Sequence, residues 1–457
     1  MTTKPTDTTT TTAAGPQGEP RTEAQWLEIA REYSFRGRMD KGSFSGPILV
    51  EGRGSVVRDV NGKEYLDYNS GQMCSALGHS NPTVVEAIKE SCDTLIHASS
   101  SYFNVKEIEL ARRLGEIAPP PLKKSMFLGS GSDSNEAAVA IAKKYTGGFE
   151  VASPHVSFHG MSEASRSLTF AGWHQGYGPM TPGSYAIMAP YCYRCPIGLT
   201  FPKCELACLK GSMEVLDAQS SGSLAAVITE PLFSAGGVIE PPSGWLGGLK
   251  RACRERDMLL IFDESQTGLG KLGSMFACEQ EGVIPDLLTI AKHFGGGIEI
   301  SAVITTAEIE EVVAERGLVI GHSHTNDPLP CNAAIASLDV IVGDNLPERA
   351  REVGKYWRSH LEMLAAKHEV IGDVRGRGLI QGIELVRDRH SQAPYFEAGK
   401  AIARHCLSGG LLFSVRRNGS VIRFVPPFYS THAELDRAAD ILDRGITVAV
   451  EELSRAR

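Results

Sequence analysis

Two short apolar runs near the middle of the chain constrain its fold more than any other feature. Residues 258–262 read Met-Leu-Leu-Ile-Phe and deliver Asp263. Residues 287–291 read Leu-Leu-Thr-Ile-Ala and deliver Lys292, followed by a turn ending in three glycines. Runs of this length without polar alternation mark strands buried on both faces, the situation in a parallel sheet covered by helices. Open α/β sheets bind ligands beyond the carboxyl ends of their strands. An acid and a lysine released there from neighbouring strands define a site geometry. The competing account makes Asp263-Glu264 a helix cap and Lys292 a solvent-facing side chain.

The surrounding pattern supports an α/β fold. Residues 124–128, 150–153, 224–230 and 300–305 read as further strands, with helices at 82–95, 106–117, 133–144, 245–256 and 308–316. Strands alternating with helices imply a mostly parallel sheet. The strand at 124–128 runs into Gly129-Ser130-Gly131-Ser132 and then a helix. Such a turn gathers orphan amides and hydroxyls at a helix N-terminus, which suits a phosphate, although many such turns are only caps. The strand at 150–153 leads to Ser157-Phe158-His159-Gly160, where Phe158 can stack on a flat ligand or simply fill core. An aspartate for a ring nitrogen and a lysine for a Schiff base are what pyridoxal phosphate requires.

Outside this body the pattern changes. Residues 1–20 are a Thr-rich tail expected to be disordered. Thr22 and Gln25 are spaced as a capping box, and Asn61-Gly62 marks a hairpin between two strand-like runs. Residues 331–342 and 345–365 are helical in pattern. Beyond them, strand-like 380–386 and 420–425 and helical 395–408 and 432–446 make a compact α+β unit. The expected organisation is a tail over 1–20, an N-terminal segment over 21–75 packing with the small domain, a large domain over 76–345, and the small domain over 346–457. Arg423 sits inside the apolar run VIRFVPP. A charge among such neighbours needs a partner, and a small carboxylate ligand is a candidate.

Composition narrows the function classes. The 457 residues are 42% hydrophobic with a net charge of −8, which argues against a nucleic-acid or anionic-membrane surface. No apolar stretch reaches membrane-spanning length. Ten scattered cysteines in a chain this large do not suggest a secreted disulfide scaffold, so a reduced, cytoplasmic protein is expected. Cys192, Cys195, Cys204 and Cys208 have spacing that admits zinc or an iron–sulfur cluster, but free thiols in an irregular loop are the favoured reading.

Taken together, residues from about 40 onward resemble a class III, fold type I aminotransferase dependent on pyridoxal phosphate, and most resemble the 2,2-dialkylglycine decarboxylase branch. The resemblance rests on NSGQM at 69–73, GSGSDSNEAA at 129–138, SFHG at 157–160, ITEPLFSAGG at 228–237 and IFDESQTGLGKLGSMFA at 261–277. It extends through PDLLTIAKHFGGG at 285–297, NDPLP at 326–330, GDVRGRGL at 372–379 and RFVPP at 423–427. It implies a large domain with a mostly parallel seven-stranded sheet, a smaller α+β domain, and a homodimer or a tetramer made of two dimers.

The resemblance also implies roles. Lys292 would carry the cofactor and move protons. Asp263 would pair with the pyridine nitrogen, and Gln266 would bond near the ring hydroxyl. Phe158 would stack on the ring where the decarboxylating relatives have tryptophan, with His159 beside it. Gly131 and Ser132 would hold the phosphate, joined by Ser323 from a second subunit. Arg423 would grip the substrate carboxylate, Glu230 would support the site, and Gln72 and Met73 would border the substrate. An alkali ion, Na+ or K+, would bind Ser100, Ser323 and Asp327, with carbonyls near Ala98 and Thr325.

Gln72 matches the residue that holds a carboxylate perpendicular to the ring in the decarboxylating branch. The expected reaction is therefore decarboxylation-dependent transamination of a 2,2-dialkylglycine such as 2-aminoisobutyrate, with pyruvate or another 2-oxo acid as acceptor. The alternative is a plain class III aminotransferase acting on an ω-amine, β-amino acid or α-amino acid. Ala235 counts against the first reading, because the decarboxylating branch has a serine there.

Overall fold

The computed structural model describes residues 21–35, 46–172 and 174–455, so the Thr-rich stretch over 1–20 lies outside the described residues. The chain opens with the helix α1 (Glu23–Tyr33), where the Thr22–Gln25 capping box forms in both directions. Three strands follow, β1 (Leu49–Arg53), β2 (Val56–Asp59) and β3 (Glu64–Asp67). The turn between β2 and β3 is longer than a two-residue hairpin. Asp59 Oδ1 accepts from the amides of Asn61 and Lys63 at 2.9 and 3.0 Å, and Gly62 takes φ 80°. The side chain thus supplies the turn's hydrogen bonds, and only the glycine needs left-handed backbone.

The central sheet contains β4 (Lys124–Leu128), β5 (Glu150–Pro154), β6 (Ser184–Ile187), β7 (Leu224–Thr229), β8 (Leu259–Asp263), β9 (Leu287–Ile290) and β10 (Ser301–Thr305). Its order is β4-β10-β9-β8-β7-β5-β6. Only β10 runs against the others, pairing antiparallel with both β4 and β9. Every residue of β8 and β9 is buried, as their unbroken apolar sequences require. The strand β6 lies within a stretch that reads as irregular. It is a short edge strand with only Ile187 buried, so its sequence lacks the apolar signature of its neighbours.

The C-terminal part forms a second sheet, ordered β11-β12-β15-β14, from β11 (Ile371–Arg377), β12 (Ile380–Leu385), β14 (Ser414–Arg416) and β15 (Val421–Phe424). The two-residue strand β13 (Leu411–Leu412) leaves this unit and pairs in parallel with β3. Helices Leu346–Lys367, Phe396–Gly409 and His432–Arg455 accompany the sheet. Among the described residues no helix is long and apolar enough to cross a membrane.

Candidate active site

The two residues that organise the sequence meet at the carboxyl ends of adjacent parallel strands. Asp263 is the last residue of β8, and Lys292 stands two residues past the end of β9. Lys292 takes φ 59°, left-handed backbone that a lysine adopts only under constraint from its surroundings. The preceding Ala291 and Ser265, two residues past Asp263, both border Gly131. A Cβ on Gly131 would lie 3.3 Å from each of their side chains. The glycine therefore lets the N-terminus of the helix α4 (Gly131–Thr146) close against both strand ends.

Asp263 is 4% exposed and densely hydrogen-bonded. Its Oδ2 accepts from His159 Nδ1 at 2.9 Å and from Asn135 Nδ2 at 2.8 Å, and its Oδ1 from the Ser265 amide at 3.0 Å. Burial pushes its pKa up, but the His159 hydrogen bond and charge and the Ser265 bonds outweigh that, and the net shift is downward. Asp263 stays ionised. Asn135 is held in turn by Thr289 Oγ1, which donates to Asn135 Oδ1 at 2.7 Å. Asn135 was not singled out in the sequence, although it lies within the matching stretch at 129–138.

At Lys292, burial pulls the pKa below 10.5, and Arg423 adds to this. Cys74, Asp263 and Glu230 oppose it. The mouth of α4 is shaped by Gly160, at φ 138°. A Cβ there would fall 2.2 Å from Ser132 Oγ and 2.6 Å from Ser165 Oγ. Ser132 Oγ accepts from the Met161 amide at 3.1 Å, tying the phosphate turn to the segment that carries Phe158 and His159. Phe158 is half-buried, and its amide donates to Glu230 Oε1 at 3.2 Å, while Ser234 N donates to Oε2 at 3.2 Å. Glu230 thus holds two backbone segments together from below.

Arg423 reaches across from β15 and is 2% exposed. Its Nη1 donates to Ser234 Oγ at 3.0 Å and Gln266 Oε1 at 2.9 Å, and its Nε to Ser414 Oγ at 3.0 Å. None of these partners is charged, and among the described residues no acidic side chain forms an ion pair with it. Burial and the nearby Arg416 both press its pKa well below the ordinary value, with Glu230 opposing. An anionic ligand is the group such a site lacks.

The donor set fits pyridoxal phosphate. An ionised, triply held carboxylate suits a protonated ring nitrogen, the constrained lysine suits covalent attachment, and the glycine-walled α4 N-terminus suits the phosphate. His159 Nε2 and Ser265 Oγ are buried without a protein partner, polar atoms of the kind a bound group satisfies.

Gln72 and Met73 occupy a left-handed turn, at φ 61° and 71°, with Gln72 exposed and Met73 buried. Ser100 and Ser323 are exposed. Asp327 gives its carboxylate to two imidazoles, accepting from His97 Nδ1 at 2.6 Å and His324 Nδ1 at 2.5 Å. It is the N-cap of the helix Pro328–Gly343 but makes no capping bond: Pro330 removes the N3 amide, and the two imidazoles occupy both carboxylate oxygens. Cys192, Cys195, Cys204 and Cys208 line one cavity, and all four are free thiols. Among the described residues they form no cluster tight enough to share a metal ion.

A class-III aminotransferase family model matches residues 41–446. An uncharacterized aminotransferase of Schizosaccharomyces pombe is 40% identical over 417 residues, covering 90% of this chain and 93% of that protein. An acetylornithine aminotransferase of Caldanaerobacter subterraneus is 35% identical, covering 87% and 93%. The solved omega transaminase of Pseudomonas jessenii in complex with PMP superposes with a TM-score of 0.89 at 28% identity, covering 94% of this chain and 99% of that one.

These comparisons overturn the expected kinship with 2,2-dialkylglycine decarboxylases and with it the decarboxylating reaction. The similar proteins include omega-transaminases and acetylornithine aminotransferases, which are named for amino transfer, and a leucine/methionine racemase, and none of these names is that of a decarboxylase. The physical reason lies at two positions. Ala235 has no hydroxyl to orient a carboxylate, and Gln72 stands on an exposed turn, so its identity alone does not select the bond that breaks.

Proposed function

The chain belongs to the class III aminotransferases, and from that premise we propose that it moves an amino group from an ω-amine, β-amino acid or α-amino acid to a 2-oxo acid, retaining the substrate's carboxylate. The observation that carries this reading is Arg423, buried without an acidic partner and within charge range of Lys292. It supports a carboxylate-bearing substrate held beside the reactive amine.

Pyridoxal phosphate, when bound, supplies an electron sink for charge developing at the amine-bearing carbon. The chain's own residues do the rest. Asp263, kept anionic by His159, Asn135 and Ser265, favours a proton on a ring nitrogen. Lys292 Nζ takes a proton from the substrate carbon and returns one; its depressed pKa leaves more of the neutral amine for that work. Arg423 orients the carboxylate through its Nη2, the nitrogen that holds neither Ser234, Gln266 nor Ser414, and Gln266, whose Oε1 is occupied by Arg423, keeps its amide donor for the cofactor side. Gly131 and Ser132 would receive the phosphate.

We further infer a homodimer, with Ser323 completing the phosphate site of a second copy, and a reduced, cytoplasmic setting. Exposed apolar side chains at Ile96, Tyr102, Phe103, Val105 and Val319 support such an interface. The test of function is the holoenzyme with an ω-amine, a β-amino acid and an α-amino acid as donors, each against pyruvate and 2-oxoglutarate. Alanine or glutamate should form from at least one pairing. No amino transfer with any pairing would refute the reading.

A further inference from the structure

Arg375 lies on β11, is buried, and takes no part in the proposed mechanism. Sheet register nevertheless places it beside the substrate arginine. Arg375 stands opposite Gly382 on β12, and Gly382 stands opposite Arg423 on β15. Residues directly opposite one another across antiparallel strands project to the same face. The two arginines therefore flank one glycine, and the turn at 234–238 is seated between them. A Cβ on Gly382 would lie 3.0 Å from Val238 Cγ2, so only glycine lets the turn settle this deeply.

The turn is strained. Val238 takes φ 57°, left-handed backbone that a β-branched residue adopts only when its surroundings impose it. Arg375 supplies that constraint. Its Nε donates to the Val238 carbonyl at 2.9 Å and the Gly237 carbonyl at 3.1 Å, and its Nη2 donates to the Gly237 carbonyl at 2.7 Å. Arg417 Nη1 adds a bond to the Gly236 carbonyl at 3.3 Å. The Arg375 guanidinium is itself fixed from behind. Its Nη1 donates to Asp373 Oδ2 at 2.9 Å, and its Nη2 to the Glu384 carboxylate. Glu384, fully buried, also accepts from Tyr191 Oη and, at 2.9 Å, from Arg194 Nε. Tyr191 and Arg194 belong to the irregular stretch that carries the free thiols. At its other end the turn reaches the substrate side, where Ser234 Oγ accepts from Arg423 Nη1 at 3.0 Å.

We propose that Arg375 is a positioning residue for the substrate carboxylate: it holds the strained turn at 234–238 in the shape that lets Ser234 fix Arg423. The proposal rests on the reading of Arg423 as the group that binds the carboxylate. Ser234 and Gln266 hold Nη1 of Arg423 and Ser414 holds Nε, so the aim of the remaining Nη2 follows from where those three oxygens stand. Arg375 sets one of them without touching substrate. A planar fork that spans two carbonyls does this; a lysine, a point charge on a flexible stem, does not. When the fork is lost, Val238 relaxes, Ser234 moves, and Arg423 meets the carboxylate less squarely.

Steady-state kinetics of the holoenzyme test this, with a saturating amino donor and pyruvate or 2-oxoglutarate, whichever it accepts, as the varied acceptor. Arg375→Lys should raise the acceptor KM about 5- to 20-fold and change kcat by less than about twofold, because binding is lost and the reacting groups are untouched. A merely structural arginine would lower Tm or cofactor content and leave the KM of the remaining holoenzyme alone. Arg423→Met is the reference. Since Arg375 acts through Arg423, adding Arg375→Lys to Arg423→Met should raise KM by less than about twofold more. A KM for Arg375→Lys within about twofold of the wild type while Arg423→Met raises it, or full additivity in the double variant, would overturn this proposal alone. An Arg423→Met KM equal to that of the wild type would overturn the carboxylate reading and this proposal with it. Glu384→Gln, isosteric and with Arg375 in place, decides by the same criterion if Arg375→Lys does not retain cofactor.

Discussion

Glu230→Gln is the substitution whose consequence can be worked furthest. Glu230 is 1% exposed, and burial, with a smaller push from Asp263, raises its pKa from 4.5 to about 8. The Phe158 and Ser234 amides and Arg423 oppose that shift without cancelling it. The folded state thus binds this proton more tightly than the unfolded chain does. Stability from the protonated form is complete below about pH 4.5 and is lost as pH rises toward the folded pKa near 8. The slope is about 1.4 kcal/mol per pH unit, so the wild type should lose about 4–5 kcal/mol across that window. Glutamine does not titrate, and its Nε2 sets a donor against the Phe158 or Ser234 amide, a cost that is the same at every pH. Glu264, raised by burial to about 7, adds its own slope to both proteins and cancels in the difference. Urea or thermal denaturation of both holoenzymes at pH 5, 6.5 and 8 measures it. The variant should start less stable at about pH 5 and gain steadily on the wild type above that. Parallel curves, within about 1 kcal/mol over the whole range, would show that Glu230 is ionised throughout and that the burial argument is wrong.

Other consequences are simpler. Asp263→Asn places an amide donor against His159 or Asn135 and removes the buried charge, a loss of about 3–5 kcal/mol that should cut kcat/KM by roughly two to four orders of magnitude. A loss below tenfold with full cofactor content would contradict the role given to Asp263. Arg423→Met should raise KM for a carboxylate-bearing acceptor by about 10- to 100-fold, as expected for a charge-assisted pair; steady-state kinetics with 2-oxo acids checks this. Gly160→Ala puts a methyl group against Ser132 Oγ and Ser165 Oγ at positive φ, which should cost about 1–3 kcal/mol and weaken cofactor retention, read as a lower Tm and faster loss of visible absorbance on dialysis.

The parts of the site that follow from strand burial were legible. Asp263 and Lys292 end strands that must be apolar throughout, so their polarity stands out. Gly131 stands out by its turn and Arg423 by its apolar neighbours. What could not be read depends on tertiary packing. Nothing in the local sequence GDVRGRGL says that the Arg375 side chain turns inward while Arg377 stays half-buried. The union of Asp327 with His97 spans 230 residues. The strand β6 is too short and too exposed to carry a pattern. The reaction was the least legible element. Gln72 in the right position suggested decarboxylation, yet bond choice depends on the whole surrounding of the carboxylate, including the missing hydroxyl at Ala235.

The most direct measurement follows the carboxyl carbon. The holoenzyme is given an α-amino acid donor labelled at its carboxylate together with pyruvate, and alanine and released CO2 are counted in the same reaction. The account predicts that alanine accumulates while the label stays in the 2-oxo acid product. Release of labelled CO2 in step with alanine would contradict it.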